Sequence, residues 1–303
     1  MAKAKAKTQA ESHQWSSSRP SNAVVDIRVD TFRRRDDWEF WVLLTTDRHW
    51  DNPHSDWVMQ KRHLDEAVRR DSPVIDNGDF FCAMQGKYDR RASKSSVRPE
   101  HQKDNYLDTL VDTASEFFEP YAEQIAVIGD GNHETAIKKN HETDLVERLV
   151  GVLNQKTGST INHCGYGSWV RFIFTDGNAN FGVSMKRYHG HGGGGPVTKG
   201  VIQTNRRAAS IDADIIFTGH VHEEWSLTTV RESLTVAGNV RHRRQLHVCG
   251  ATYKEEYADG TEGWHVETGK PPKPVGAIWL RFQYRSIRGA NSGQVIYDAI
   301  PAQ

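Results

Sequence analysis

Hydrophobic and polar positions along this chain alternate in blocks whose period changes from strand-like to helix-like and back. Residues 38–46 (WEFWVLLTT) form a near-continuous aromatic and apolar run, as a buried strand would, and the run stops at Asp47. Residues 56–70 carry Val58, Leu64, Ala67 and Val68 among charges, which predicts an amphipathic surface helix. A short strand at 73–75 runs into Asp76-Asn77-Gly78-Asp79. A second helix over 100–121 is marked by Leu107, Leu110, Val111, Ala114 and Phe117-Phe118. Residues 124–128 read as a strand, and 129–133 as the turn after it.

The order strand, helix, strand, helix, strand predicts an open α/β sheet, and in such sheets ligands bind beside the carboxyl ends of the strands. A further helix is expected over 143–153. The chain then becomes β-rich: 169–174 and 181–188 flank Asp176-Gly177-Asn178 as a hairpin. A helix over 199–210 leads to a strand at 215–218, and later strands fall at 245–249 and 276–284. Residues 1–23, rich in Lys, Ser and Gln, read as a flexible basic tail; 24–230 form the expected core, and 231–303 a β-rich extension that completes a sheet or caps the site.

Composition narrows the class. In 303 residues, 37% are apolar and 10% aromatic, enough for a sizeable core. Lys plus Arg equals Asp plus Glu at 39 each, which argues against a uniformly basic nucleic-acid coat while leaving local patches such as Arg241-His242-Arg243-Arg244. Three cysteines, Cys82, Cys164 and Cys249, are too few and too scattered for a disulfide framework, so a reducing cytoplasm is the expected compartment. No apolar run approaches the roughly 18 residues of a membrane helix, and no membrane partner is expected.

Five short motifs fall at the predicted loops: Asp47-Arg48-His49, Gly78-Asp79, Gly131-Asn132-His133-Glu134, His189-Gly190-His191 and Gly219-His220-Val221-His222. Each alone is commonplace. Together they supply carboxylate, imidazole and amide ligands, the mixture a hydrolytic pair of divalent metals needs. In Asp-x-His and His-x-His the alternation of an extended segment puts both side chains on one side. The run Gly192–Gly195 fails as a phosphate-binding P-loop, because Lys199 lacks the preceding Gly and the following Ser or Thr.

In this order the motifs resemble the calcineurin-like metallophosphoesterase superfamily over residues 47–222. Thr252-Tyr253-Lys254-Glu255-Glu256-Tyr257, Gly263-Trp264-His265-Val266-Glu267 and Pro271-Pro272-Lys273-Pro274 are similar to bacteriophage-encoded members. The resemblance implies an α/β sandwich of two mixed sheets flanked by helices, and two divalent metals about 3.5–4 Å apart, with manganese preferred and iron, nickel or zinc as alternatives. Asp47, His49 and His222 would hold one metal, Asn132, His189 and His220 the other, and Asp79 would bridge them. It also implies attack on phosphorus by a hydroxide bridging the metals, with His133 beside the leaving group.

Phosphodiesters, nucleic acid included, and phosphomonoesters on nucleotides or phosphoproteins both suit this ligand set; a non-catalytic scaffold is the third reading. A homo-oligomer is compatible with the extension, and the host cytoplasm is the expected compartment if the chain is phage-encoded. Arg48 and His191 are candidates to touch the substrate phosphate, and Trp50 or Trp57 to stack on a base. Many members place Asp or Asn three residues after the bridging Asp, where this chain has Cys82. A thiol is a poor acceptor for His133, so Glu134 or Asp130 is the expected partner.

Overall fold

The computed structural model describes residues 13–83, 96–195, 197–257, 263–287 and 293–302. Its strands are β1 (Trp15–Ser21), β2 (Val24–Val29), β3 (Glu39–Thr45), β4 (Val74–Asp76), β5 (Ile125–Ile128), β6 (Asn162–His163), β7 (Gly167–Asp176), β8 (Ala179–Tyr188), β9 (Ile215–Thr218), β10 (Trp225–Leu234), β11 (Val240–Cys249), β12 (Ala277–Ser286) and β13 (Gly293–Ala302). The helices are α1 (Trp57–Arg70), α2 (Tyr106–Phe118), α3 (Asn132–His141), α4 (Leu145–Thr157), α5 (Gln203–Ser210) and the single turn α6 (Trp264–Glu267).

Two mixed sheets result. One runs β1-β2-β7-β8-β9-β11-β10, the other β13-β12-β3-β4-β5-β6. Between them lies an apolar layer that takes Val25, Ile27, Phe172, Met185, Ile215 and Phe217 from the first sheet and Phe40, Val42, Leu44, Ile75, Ile278 and Phe282 from the second. A second apolar layer joins the other face of the six-stranded sheet to α1, α2 and α4 through Leu43, Val74, Leu64, Ala67, Leu110, Val111, Leu149 and Leu153. Strands β3, β4 and β5 are therefore covered on both faces, which is why their sequences are continuous apolar runs and pair in parallel.

Local signals set the helix ends. Asp56 caps α1, its carboxylate accepting from Met59 N at 2.8 Å, and Asp71 closes it in a left-handed turn. Asp144 caps α4 in the same way, accepting from Glu147 N at 2.9 Å, and Gly158 ends it.

The expected organisation needs three corrections. Order begins before residue 24, because β1 pairs antiparallel with β2 and Trp15 is buried in the inter-sheet layer. Residues 1–12 of the expected tail lie outside the described residues. The boundary at 230 falls inside β10, and residues beyond it complete both sheets: β11 sits between β9 and β10, and β12 against β3. Finally, the expected turn at 129–133 opens directly into helix α3 at Asn132.

Candidate metal centre

The motif loops after β3, β4, β5, β8 and β9 converge at one end of the sandwich. Asp47 Oδ1 lies 3.2 Å from His222 Nε2, and His49 Nε2 lies 3.1 Å from the same nitrogen. Asp79 Oδ2 lies 3.2 Å from His189 Nε2. Asn132 Oδ1 lies 2.7 Å from His220 Nδ1. The two clusters Asp47–His49–His222 and Asp79–His189–His220 each bring three ligand atoms within 4.8 Å of one another. The first holds the three residues that the sequence grouped; the second holds Asp79, expected between the two groups, with His189 and His220, and Asn132 lies beside His220.

The backbone is strained to achieve this. Asp47, His49, Asp79, His220 and His222 all adopt positive φ, between 46° and 74°. Non-glycine residues seldom do so, and such strain concentrates at functional sites. Gly219 is required for a different reason: a Cβ there would stand 2.1 Å from Thr46 Oγ1 and 2.5 Å from Asp47 Oδ2. At Gly131 it would stand 2.0 Å from Asp79 Oδ1.

Lone pairs are left facing the centre. His189 Nδ1 donates to the Asn77 carbonyl at 2.9 Å, which leaves Nε2 available to a cation, the arrangement usual in metal-bound histidines. Its Nε2 and Asp47 Oδ1 are buried and, despite their close neighbours, make no aligned hydrogen bond. Buried polar atoms without partners are rare, and here they fit a cation binding set.

The charge states agree. Burial, helped by His133 and His222, holds the His49 imidazole well below its ordinary range, and burial with His189 lowers His220, so both rings are held neutral, the form a cation would need. Burial pushes the Asp47 and Asp79 carboxyls up, but His222 beside the first and His189 beside the second outweigh it, and both are ionised. Burial would lower His189, yet Asp79, Asp47 and Glu134 raise it to about 10, so a proton and a cation compete for its Nε2.

Two further carboxylates, Glu134 of the third motif and Asp51, which no motif contains, hold the loops. Glu134 accepts from Asp79 N at 3.1 Å, Phe81 N at 2.9 Å and Gly131 N at 2.6 Å, tying two ligand loops to the start of α3. Asp51 does the same for the next turn, accepting from Cys82 N at 2.6 Å, Ala83 N at 2.9 Å and Tyr106 Oη at 2.6 Å. Glu134, expected from the sequence as a partner of His133, sits instead three residues after Gly131 at the start of α3, where a helix-capping carboxylate belongs.

His133 stands beside Asp79, Nε2 to Oδ2 3.8 Å. Its Nδ1 partner is neither Glu134 nor Asp130: it donates to the backbone carbonyl of Cys82 at 2.5 Å. The main chain thus supplies the acceptor that the Cys82 thiol lacks. Asp130 instead pairs with His163 at 2.8 Å and Lys138 at 2.5 Å.

Other candidates lie elsewhere. Arg48 is buried, with Nε donating to Asp76 Oδ2 at 2.6 Å, so its guanidinium is taken by the core. His191 is exposed on the glycine loop, 3.2 Å from Tyr188 Oη. Trp50 is buried and stacked on Trp57 with centroids 4.0 Å apart, so its face is taken by the core. Arg243 of the basic run pairs with Asp212 and Asp214.

No family model and no curated protein matches the chain. Among solved structures, GAP50, the anchor in the inner membrane complex of Plasmodium, is similar with TM-score 0.40 and 9% identity, over 87% of this chain and 84% of its own. A Themotoga maritima protein solved by solution NMR is similar with TM-score 0.26 and 10% identity, over 87% and 99%. At these scores neither likeness bears on function. No helix among the described residues is long and apolar enough to cross a membrane.

Proposed function

We propose that this chain is a metal-dependent phosphoesterase of the calcineurin-like type. Asp47, His49 and His222 would hold one divalent cation, Asn132, His189 and His220 a second, and Asp79 would be shared between them. The observation that carries the reading is the meeting of two three-ligand clusters whose buried lone pairs, Asp47 Oδ1 and His189 Nε2, lack hydrogen-bond partners. When bound, such cations polarise a phosphoryl oxygen and acidify a coordinated water enough to attack phosphorus near neutral pH, and manganese suits this mixture of nitrogen and oxygen donors.

The chain's own residues do the rest. The Cys82 carbonyl fixes the His133 tautomer and leaves Nε2 toward the cleft, where it can deliver a proton to the leaving oxygen. Glu134 and Asp51 hold the ligand loops from behind, so the ligands need not reorganise when substrate arrives. The adjoining cleft is about 890 Å³, far more than one phosphate group fills, and supports an ester with a large substituent.

The test is metal analysis of chain purified without chelator, followed by assay with manganese on bis-p-nitrophenyl phosphate, p-nitrophenyl phosphate and labelled DNA. About two metals per chain and turnover of the diester are expected; turnover of the monoester alone would point to the phosphomonoesterase reading. Less than one metal per chain and no turnover on any substrate would leave a non-catalytic scaffold.

A further inference from the structure

The segment after β11 is stitched to the loop that carries Asp47 and His49. Thr252 Oγ1 donates to Asp47 O at 2.8 Å, and Tyr253 N to the same oxygen at 3.1 Å. Asp56 N donates to Tyr253 O at 2.8 Å, and Glu255 N to His54 O at 2.9 Å, while Ser55 and Lys254 form an isolated antiparallel bridge. Lys254 N is further fixed by Thr252 Oγ1 at 3.0 Å. The backbone of Lys254 therefore moves with the ligand loop.

Its side chain lines the same cleft as His49, Asp79, Asn132, His133, His220 and His222. Only 13% of that side chain is exposed. Its charge reaches both His49, which it helps keep neutral, and the Cys82 thiol. The ammonium is aimed by Glu256, whose carboxylate lies 2.8 Å from Nζ and is itself almost fully buried. Glu256 is held in turn by His265 on α6, whose ring lies 5.3 Å from that of His222. A lysine costs several kcal/mol to bury, and among the described residues Glu256 is the carboxylate paired with it, which satisfies only part of its three donors.

We propose that Lys254, positioned by Glu256 and His265, is the protein's ligand for the substrate's phosphoryl oxygens, a role for which the sequence offers Arg48 and His191 as candidates. The inference rests on the phosphoesterase reading and deepens it. An ammonium is a point charge that suits one oxygen of a phosphate without demanding bidentate geometry. The C-terminal segment that carries Lys254 forms one wall of the cleft, and His133 keeps its role at the leaving oxygen. Lys270 and Lys273 line the same wall, Lys273 paired with the buried Glu223.

The test uses the manganese-loaded full chain and inorganic phosphate as the probe, by titration calorimetry. Lys254→Met should weaken phosphate binding roughly 10- to 100-fold, the worth of one hydrogen bond to an ion, with manganese content unchanged. Lys254→Arg should retain most of the affinity. Glu256→Gln should lose part of it, yet add nothing in the Lys254→Met background, since its role runs through Lys254. Should the methionine variant not fold, reductive methylation of the unaltered chain serves: phosphate should protect Lys254 from modification.

Phosphate affinity within about twofold of the parent in Lys254→Met, absence of phosphate binding by the parent, or no protection of Lys254 would each overturn the proposal. The two readings fail separately. A parent that turns over phosphoesters with no dependence on Lys254 sinks this inference alone. A parent that binds phosphate through Lys254 but hydrolyses nothing sinks the enzymatic reading alone.

Discussion

Replacing Arg48 with methionine separates a structural arginine from a substrate-binding one. The guanidinium and the Asp76 carboxylate are both about 1% exposed and meet at 2.6 Å. The other donors reach Gln60 Oε1 at 2.9 Å and Thr45 Oγ1 at 3.0 Å. Phe80, Phe118 and Tyr253 surround the cation with ring centroids 5.6, 5.2 and 5.3 Å away. Methionine fills most of the apolar part of this volume, so the loss is dominated by the Asp76 charge left buried without its partner. That costs about 3–5 kcal/mol. Burial already raises the Asp76 pKa with Arg48 opposing it, so the variant's carboxyl can relieve part of the penalty by taking a proton.

Urea unfolding at neutral pH should therefore show Arg48→Met losing about 3–5 kcal/mol with an unchanged m-value. Adding Asp76→Asn should restore more than half, because the amide carries no charge and its one oxygen still accepts from either Gly78 N or Thr45 Oγ1. Below the unfolding transition, KM for a phosphoester should be unaltered. A variant as stable as the parent to within about 1 kcal/mol, with KM raised tenfold, would refute the buried-pair reasoning and return Arg48 to the substrate.

His133→Ala should keep manganese content and fold while slowing turnover by about 10²–10⁴, as for loss of a general acid; loss of metal would show that His133 is a ligand. Gly219→Ala forces its Cβ against Thr46 Oγ1 and Asp47 Oδ2, and should weaken manganese binding roughly 10- to 100-fold by calorimetry, an unchanged affinity counting against the close approach. His63 is buried, with Nδ1 on Tyr253 Oη at 2.9 Å, and burial together with Arg62 and Arg48 lowers it to about 4. Its unfolded form protonates near 6.5, so its contribution to stability is complete above that pH and is lost as pH falls from 6.5 to about 4. His63→Gln should flatten that stretch of the stability profile by up to about 3 kcal/mol in total; an identical slope would mean that another group titrates there.

The sequence by itself determined the elements whose pattern is local. The run into Asp47 is apolar because β3 is covered on both faces, α1 shows its stripe and its Asp56 cap, and β9 ends where Gly219 begins. It also marked the seven ligand candidates, because metal chemistry restricts residue type and the strand ends restrict position. Edge strand β1 escaped notice since a Ser-rich strand with one buried face carries little apolar signal, and β10 was cut in two because nothing local distinguishes a core strand from an extension.

Tertiary structure alone decided which way side chains between the ligands point. Arg48 turned inward to Asp76, Trp50 met Trp57, and the Cys82 carbonyl took the place expected of a carboxylate. It also carried residues 252–256 across the sandwich onto the loop of Asp47, which is how Lys254 comes to face the cleft. Periodicity reports the face a residue takes within its own element; contacts between segments some 200 residues apart arise from packing, and no local pattern encodes them.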